Sequence, residues 1–149
     1  MTRRDILQIS VISLSLIPAS ELIGCIHPSF VEPVPIPLQT NTIQIDIHSQ
    51  AYQALEKIGG SVYVVVQSKR LSLIVTRISD SVFYVVSSTC THAGCDVNLY
   101  DPLRQGMLCD CHGSVFAPDG KVLGGPAPFP LTSFPATFDG DSKVKIDIS

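Results

Sequence analysis

Cys90-Thr91-His92-Ala93-Gly94-Cys95 and Cys109-Asp110-Cys111-His112-Gly113-Ser114 are the two stretches around which this chain has to be read. In the first, Cys90 and His92 stand two apart, so one tight loop can aim a thiolate and an imidazole at the same point. In the second, Cys109 and His112 stand three apart and can do the same. Two such loops facing each other would enclose a binuclear iron–sulfur centre with two cysteines on one iron and two histidines on the other. Two cysteines and two histidines also suit one tetrahedral zinc ion. Ligand type alone leaves both metals open.

Outward from these loops the pattern is β. Ile43-Gln44-Ile45-Asp46-Ile47 and Val144-Lys145-Ile146-Asp147-Ile148 alternate with period two, as half-buried strands do. Residues 62–66, 71–75 and 82–86 are short runs rich in β-branched side chains. Gly59-Gly60 precedes the first run and Ser79-Asp80-Ser81 the third, both as turn signals. Only residues 52–58 suggest a helical turn or two. The expectation is an all-β, antiparallel domain over residues 42–149, a small barrel or sandwich. The cysteine-bearing segment, residues 89–128, is expected as an insertion between its strands.

Upstream, Pro28, Pro33, Pro35 and Pro37 mark residues 26–41 as a semi-rigid linker, extending about 3.1 Å per residue where it adopts polyproline geometry. Residues 1–25 read as a targeting segment. Arg3-Arg4 before an apolar run resembles a twin-arginine export signal. The run over residues 6–17 has signal length and falls short of a membrane span. Leu22-Ile23-Gly24-Cys25 resembles a bacterial lipobox, with Cys25 as the lipidated residue and acyl chains as the membrane anchor. The competing reading is an uncleaved anchor over residues 6–26. Glu21 weighs against it, since a buried acid costs about 2.5–3.5 kcal/mol at the bilayer centre and less near the edge. Export places the folded domain on the bacterial periplasmic side, where disulfides persist.

The chain has 149 residues, enough for one ordinary domain, and its net charge of −3 argues against a nucleic-acid partner. Four of its five cysteines fall between residues 90 and 111, which points to a metal site or a disulfide framework rather than core filling. His27 and His48 lie outside both stretches and read as surface residues.

Cys-Thr-His-x-Gly-Cys followed by Cys-x-Cys-His-Gly-Ser resembles the Rieske iron–sulfur family, and Gly125-Pro126-Ala127-Pro128 is similar to the family's proline loop, which covers the cluster. The resemblance spans residues 84–134. It implies one two-iron two-sulfur cluster, with Cys90 and Cys109 on the buried iron and His92 and His112 on the outer one. It implies a Cys95–Cys111 disulfide, the mark of Rieske proteins in cytochrome bc complexes and their relatives. Ser114 stands where the family has a hydroxyl donor to a bridging sulfide, and Gly94 and Gly113 would let backbone amides approach closely.

The implied activity is one-electron transfer at a membrane surface between redox proteins. Two settings fit. In one, the chain is the Rieske subunit of a bc-type complex, taking an electron from quinol beside cytochrome b and passing it to a c-type cytochrome. The disulfide and the proline loop point there. In the other, it is a stand-alone carrier. Phe116 stands where high-potential members have a tyrosine donor, Ala93 where many quinol-oxidising members have a larger apolar residue, and the linker is stiff. These features, with the lipobox, point to the carrier. A structural zinc module without redox role is the alternative from a different class.

Overall fold

Alternation along the chain becomes strand wherever one side chain in two has a core to enter. The computed structural model describes residues 41–149. The expected export signal, Cys25 and the linker up to residue 40 lie outside the described residues. In chain order the strands are β1 (Thr42–Asp46), β2 (Ser61–Val66), β3 (Leu71–Arg77), β4 (Phe83–Ser87), β5 (Met107–Cys109), β6 (Ser114–Phe116), β7 (Val122–Gly124), β8 (Ala136–Phe138) and β9 (Lys143–Asp147). The helical turn expected over residues 52–58 is a 3₁₀ turn, Gln53–Glu56, and Leu55 is its buried residue.

Three antiparallel sheets result, ordered β1-β9-β8, β2-β3-β4 and β5-β6-β7. The first two close on a shared core. Ile43 lies opposite Ile146 and Ile45 opposite Val144, so the two alternating segments put their apolar side chains on one face. Those residues pack with Val62, Val64, Leu73, Val75 and Val85 from the facing sheet. Cross-strand apolar pairs of this kind are the unit of sheet stabilisation. Phe83 and Phe138, with ring centroids 5.0 Å apart, join the two sheets at one edge.

β3 explains why the run at residues 71–75 does not alternate. Leu73 and Val75 enter the shared core, whereas Ile74 enters a second core formed by the insertion. Val85 and Val86 divide in the same way on β4. A strand buried on both faces needs apolar residues at every position. The sheet β2-β3-β4 is therefore the floor on which the third sheet rests. The second core holds Ile74, Val86, Cys90, Val97, Met107, Cys109, Phe116, Ala127 and Leu131. The chain then returns along the free edge of β4, where Ser87 N–H donates to the Thr132 carbonyl at 2.8 Å and Phe134 N–H to that of Val85 at 2.9 Å.

Candidate metal centre

Each cysteine loop folds by the same local rule. Gly94 N–H donates to the Cys90 carbonyl at 2.9 Å, and Gly113 N–H donates to that of Cys109 at 3.0 Å. Both turns close on a glycine of left-handed φ, +77° at Gly94 and +76° at Gly113, which is why the stretches carry glycine four residues after the cysteine. A Cβ built at either would meet no protein atom within 4 Å, so among the protein's own atoms the requirement is the backbone angle rather than close packing. Each turn aims two amides inward. The N–H groups of His92 and Ala93 point at the Cys90 sulfur, and those of Cys111 and His112 at the Cys109 sulfur.

Cys90 and Cys109 are buried and outside any disulfide, and each shifts the pKa of the other. Burial pushes both thiols up. For Cys90 this is outweighed by the His92 amide, the Cys109 thiol, the Ser114 hydroxyl and the Ala93 amide, and its pKa lies below the ordinary thiol value. For Cys109, burial and the neighbouring Cys90 sulfur prevail over the amides of Cys111 and His112, and its pKa is raised. A cation beside two such sulfurs would favour the thiolate form of both. Outside the sulfurs, the rings of His92 and His112 meet edge to face with centroids 4.6 Å apart, and both residues are exposed.

Cys95 and Cys111 form a disulfide, with Cα atoms 6.5 Å apart. It ties the first loop to the second, as the resemblance implies. The sulfurs of Cys95, Cys109 and Cys111 lie within 4.8 Å of one another, yet two of the three are consumed by that bond and offer no thiolate. The donors that remain are two sulfurs inside and two imidazoles outside, an asymmetric set that a two-iron centre fits.

The loop at residues 125–128 is fastened from both sides. Ala127 N–H donates to Ser114 Oγ at 3.1 Å, and the same hydroxyl is one of the groups that lower the Cys90 pKa. Thr91 Oγ1 donates to the Phe129 carbonyl at 2.6 Å. Gly125 has φ +89°, and a Cβ there would stand 2.5 Å from Ser114 Cα and 2.6 Å from the Gly113 carbonyl oxygen. The loop thus lies directly on the second cysteine loop, with Ala127 buried and Pro126 and Pro128 exposed. Phe116 is fully buried in the same core as both free cysteines, and its ring offers their sulfurs no hydroxyl donor. Ala93 is exposed at the tip. His48 sits on the surface, its Nδ1 3.0 Å from Glu56 Oε1.

Two contributors, Tyr63 and Asn98, had no prior signal in the sequence, and a third, Thr91, had no visible partner. Tyr63 on β2 donates its hydroxyl to the Val97 carbonyl at 2.7 Å, joining the floor sheet to the first loop. Burial raises the Tyr63 pKa, and the carboxylates of Asp96 and Asp110 raise it further. Asn98 Nδ2 donates to Asp110 Oδ2 at 2.7 Å between the two loops. Thr91 was visible within the first stretch, but its partner at Phe129 is 38 residues away.

Antiparallel strands supporting two matched loops of this kind define a Rieske-type iron–sulfur protein. The family model of the Rieske [2Fe-2S] domain matches residues 43–135, and the chain belongs to that family, whose domain binds one such cluster. It is 44% identical over 59 residues, 40% of this chain and 32% of the relative, to the cytochrome b6-f complex iron-sulfur subunit of Chlorobaculum thiosulfatiphilum. It is 39% identical over 62 residues, 42% of this chain and 35% of the relative, to the ubiquinol-cytochrome c reductase iron-sulfur subunit of Bradyrhizobium diazoefficiens. The chain thus spans about a third of the length of these curated relatives. Among solved structures it resembles the cyanobacterial plasma membrane Rieske protein PetC3 from Synechocystis PCC 6803, with TM-score 0.54, 26% identity and coverage of 68% of this chain and 97% of that one.

Proposed function

We propose that the chain transfers single electrons at a membrane surface, with Cys90 and Cys109 holding the inner iron of its cluster and His92 and His112 the outer iron. The observation that carries this reading is the pair of exposed imidazoles, edge to face, beyond a pair of buried sulfurs. A cluster held in this way supplies one-electron chemistry at about −150 to +300 mV, against about −400 mV for all-cysteine plant-type clusters. The chain's own residues set where in that range it works. Neutral imidazoles in place of two thiolates remove negative charge. The amides of His92, Ala93, Cys111 and His112, with the Ser114 hydroxyl, stabilise charge on sulfur. Phe116 adds no further donor, so the expected potential lies below the top of the range. The two exposed imidazoles leave the outer side of the site open to a reductant, with quinol among those expected.

The first setting is a subunit of a bc-type quinol-oxidising complex, with cytochrome b and a c-type cytochrome as partners. The names of the curated relatives support it. The second is a stand-alone carrier on the periplasmic side, held by a lipid on Cys25 or by an N-terminal anchor. Exposed Ala93 and buried Phe116 support it. Among the described residues no helix is long and apolar enough to cross a membrane. Purification from solubilised membranes separates the two settings. Copurifying cytochrome b supports the complex, and a monodisperse Rieske protein free of cytochrome supports the carrier. Mass spectrometry of the mature N-terminus tests the anchor, and an unmodified peptide beginning at Thr2 would end the lipid reading.

A further inference from the structure

Asp110 stands between Cys109 and Cys111, inside the second loop. Its carboxylate is held there, since Asn98 Nδ2 donates to Oδ2 at 2.7 Å and the Asn98 N–H is itself fixed to the Leu108 carbonyl at 2.8 Å. Asp96, next to Cys95, takes a hydrogen bond from Ser88 Oγ at 3.3 Å. Both carboxylates lie close enough to Tyr63 to raise its pKa beyond the effect of burial. The other acids of the insertion are neutralised, Asp101 by Arg104 at 3.4 Å and Asp119 by Lys121 at 2.7 Å. Among the described residues no lysine or arginine stands within ion-pair distance of Asp96 or Asp110. The disulfide edge of the site therefore carries uncompensated negative charge. We propose that Asp110, oriented by Asn98, is a tuning residue that lowers the reduction potential of the site and makes it depend on ionic strength.

The physical reason is Coulombic. Reduction adds a negative charge, and a carboxylate fixed in the ligand loop disfavours it. Asp110 is exposed, so salt screens it once the Debye length falls to about 10 Å near 0.1 M. The inference rests on Cys109 and His112 being cluster ligands. Its test is potentiometry of the full, cluster-loaded chain at low and high salt. Asp110→Asn keeps an acceptor for Asn98 and removes the charge, whereas Asp110→Glu keeps the charge. The expected result is an upward shift of the midpoint potential for Asp110→Asn that shrinks as salt rises, with Asp110→Glu close to the wild type. A loaded Asp110→Asn protein with the wild-type potential at low salt would overturn the inference. So would equal shifts in both variants, which would mark a role in loop shape. A wild-type chain without iron–sulfur absorption would overturn the ligand assignment as well, and so distinguishes that failure from this one.

Discussion

Ser114 serves two neighbours with one hydroxyl, accepting from Ala127 N–H at 3.1 Å and helping to lower the Cys90 pKa, and we expect it to donate to the Cys90 sulfur. Ser114→Ala should lower the midpoint potential by roughly 65–130 mV, the one-electron equivalent of losing a hydrogen bond to a charged group worth about 1.5–3 kcal/mol. Potentiometry checks the shift, and an unchanged value would mean that the hydroxyl does not face the redox-active sulfur. Phe116→Tyr should act in the opposite direction by adding a donor in the core that holds Cys90 and Cys109. A lower or unchanged potential would undo the reading of that position. Gly125 is held by geometry rather than chemistry, because a Cβ would stand 2.5 Å from Ser114 Cα at a φ of +89°. Gly125→Ala should lift the proline loop, lower Tm and speed bleaching of the cluster's visible absorption. These residues were unevenly legible. The candidate donors stood out by their local spacing, whereas the roles of the cysteine pair and of the proline loop came from the family resemblance. Tyr63 and Asn98 could not be recognised, since their roles depend on partners that only the folded chain brings near.

The two cysteine loops are matched elements, each a turn closed on a left-handed glycine with two amides aimed at a sulfur. What holds one against the other is the Cys95–Cys111 disulfide, which spans 16 residues. A loop of that size gives about 3 kcal/mol in the chain-entropy account. The double variant Cys95→Ser/Cys111→Ser should therefore lower Tm by roughly 10 °C. Calorimetry of the loaded protein with and without the disulfide measures this, and an unchanged Tm would show that the cluster alone fixes the loops. In the β8–β9 turn, the backbone depends on Asp139. The amides of Lys143, Asp141 and Ser142 hold its carboxyl below the usual range, the Lys143 amide most strongly. A depressed pKa contributes stability that is complete above the unfolded value and is lost as pH falls through the folded one. Asp139→Ala should lower Tm at neutral pH, and the deficit should vanish in acid, where the wild type has lost the same contribution.

For the whole molecule, the outer strands were legible because β1 and β9 bury one face and alternate, while β3 announced its two-sided burial by not alternating. The short strands β5, β6 and β7 left no such pattern. Three residues cannot establish a period, and the burial of Met107, Cys109, Ser114 and Phe116 follows from the site they frame. The resulting division of labour is clear: the two sheets that share the larger core supply rigidity, and the insertion carries the candidate metal centre. Lys69, between β2 and β3, ties those two sheets together where the described chain begins, donating to Asn41 Oδ1 at 3.1 Å and to the Ile148 carbonyl at 2.7 Å. The central proposal is that Cys90, Cys109, His92 and His112 hold a two-iron centre. The most direct test is metal and sulfide analysis of the purified chain, combined with electron paramagnetic resonance before and after reduction. The account predicts two irons and two acid-labile sulfides per chain, no signal in the oxidised protein and a paramagnetic signal after uptake of one electron. A colourless protein holding stoichiometric zinc, with no signal on reduction, would contradict it.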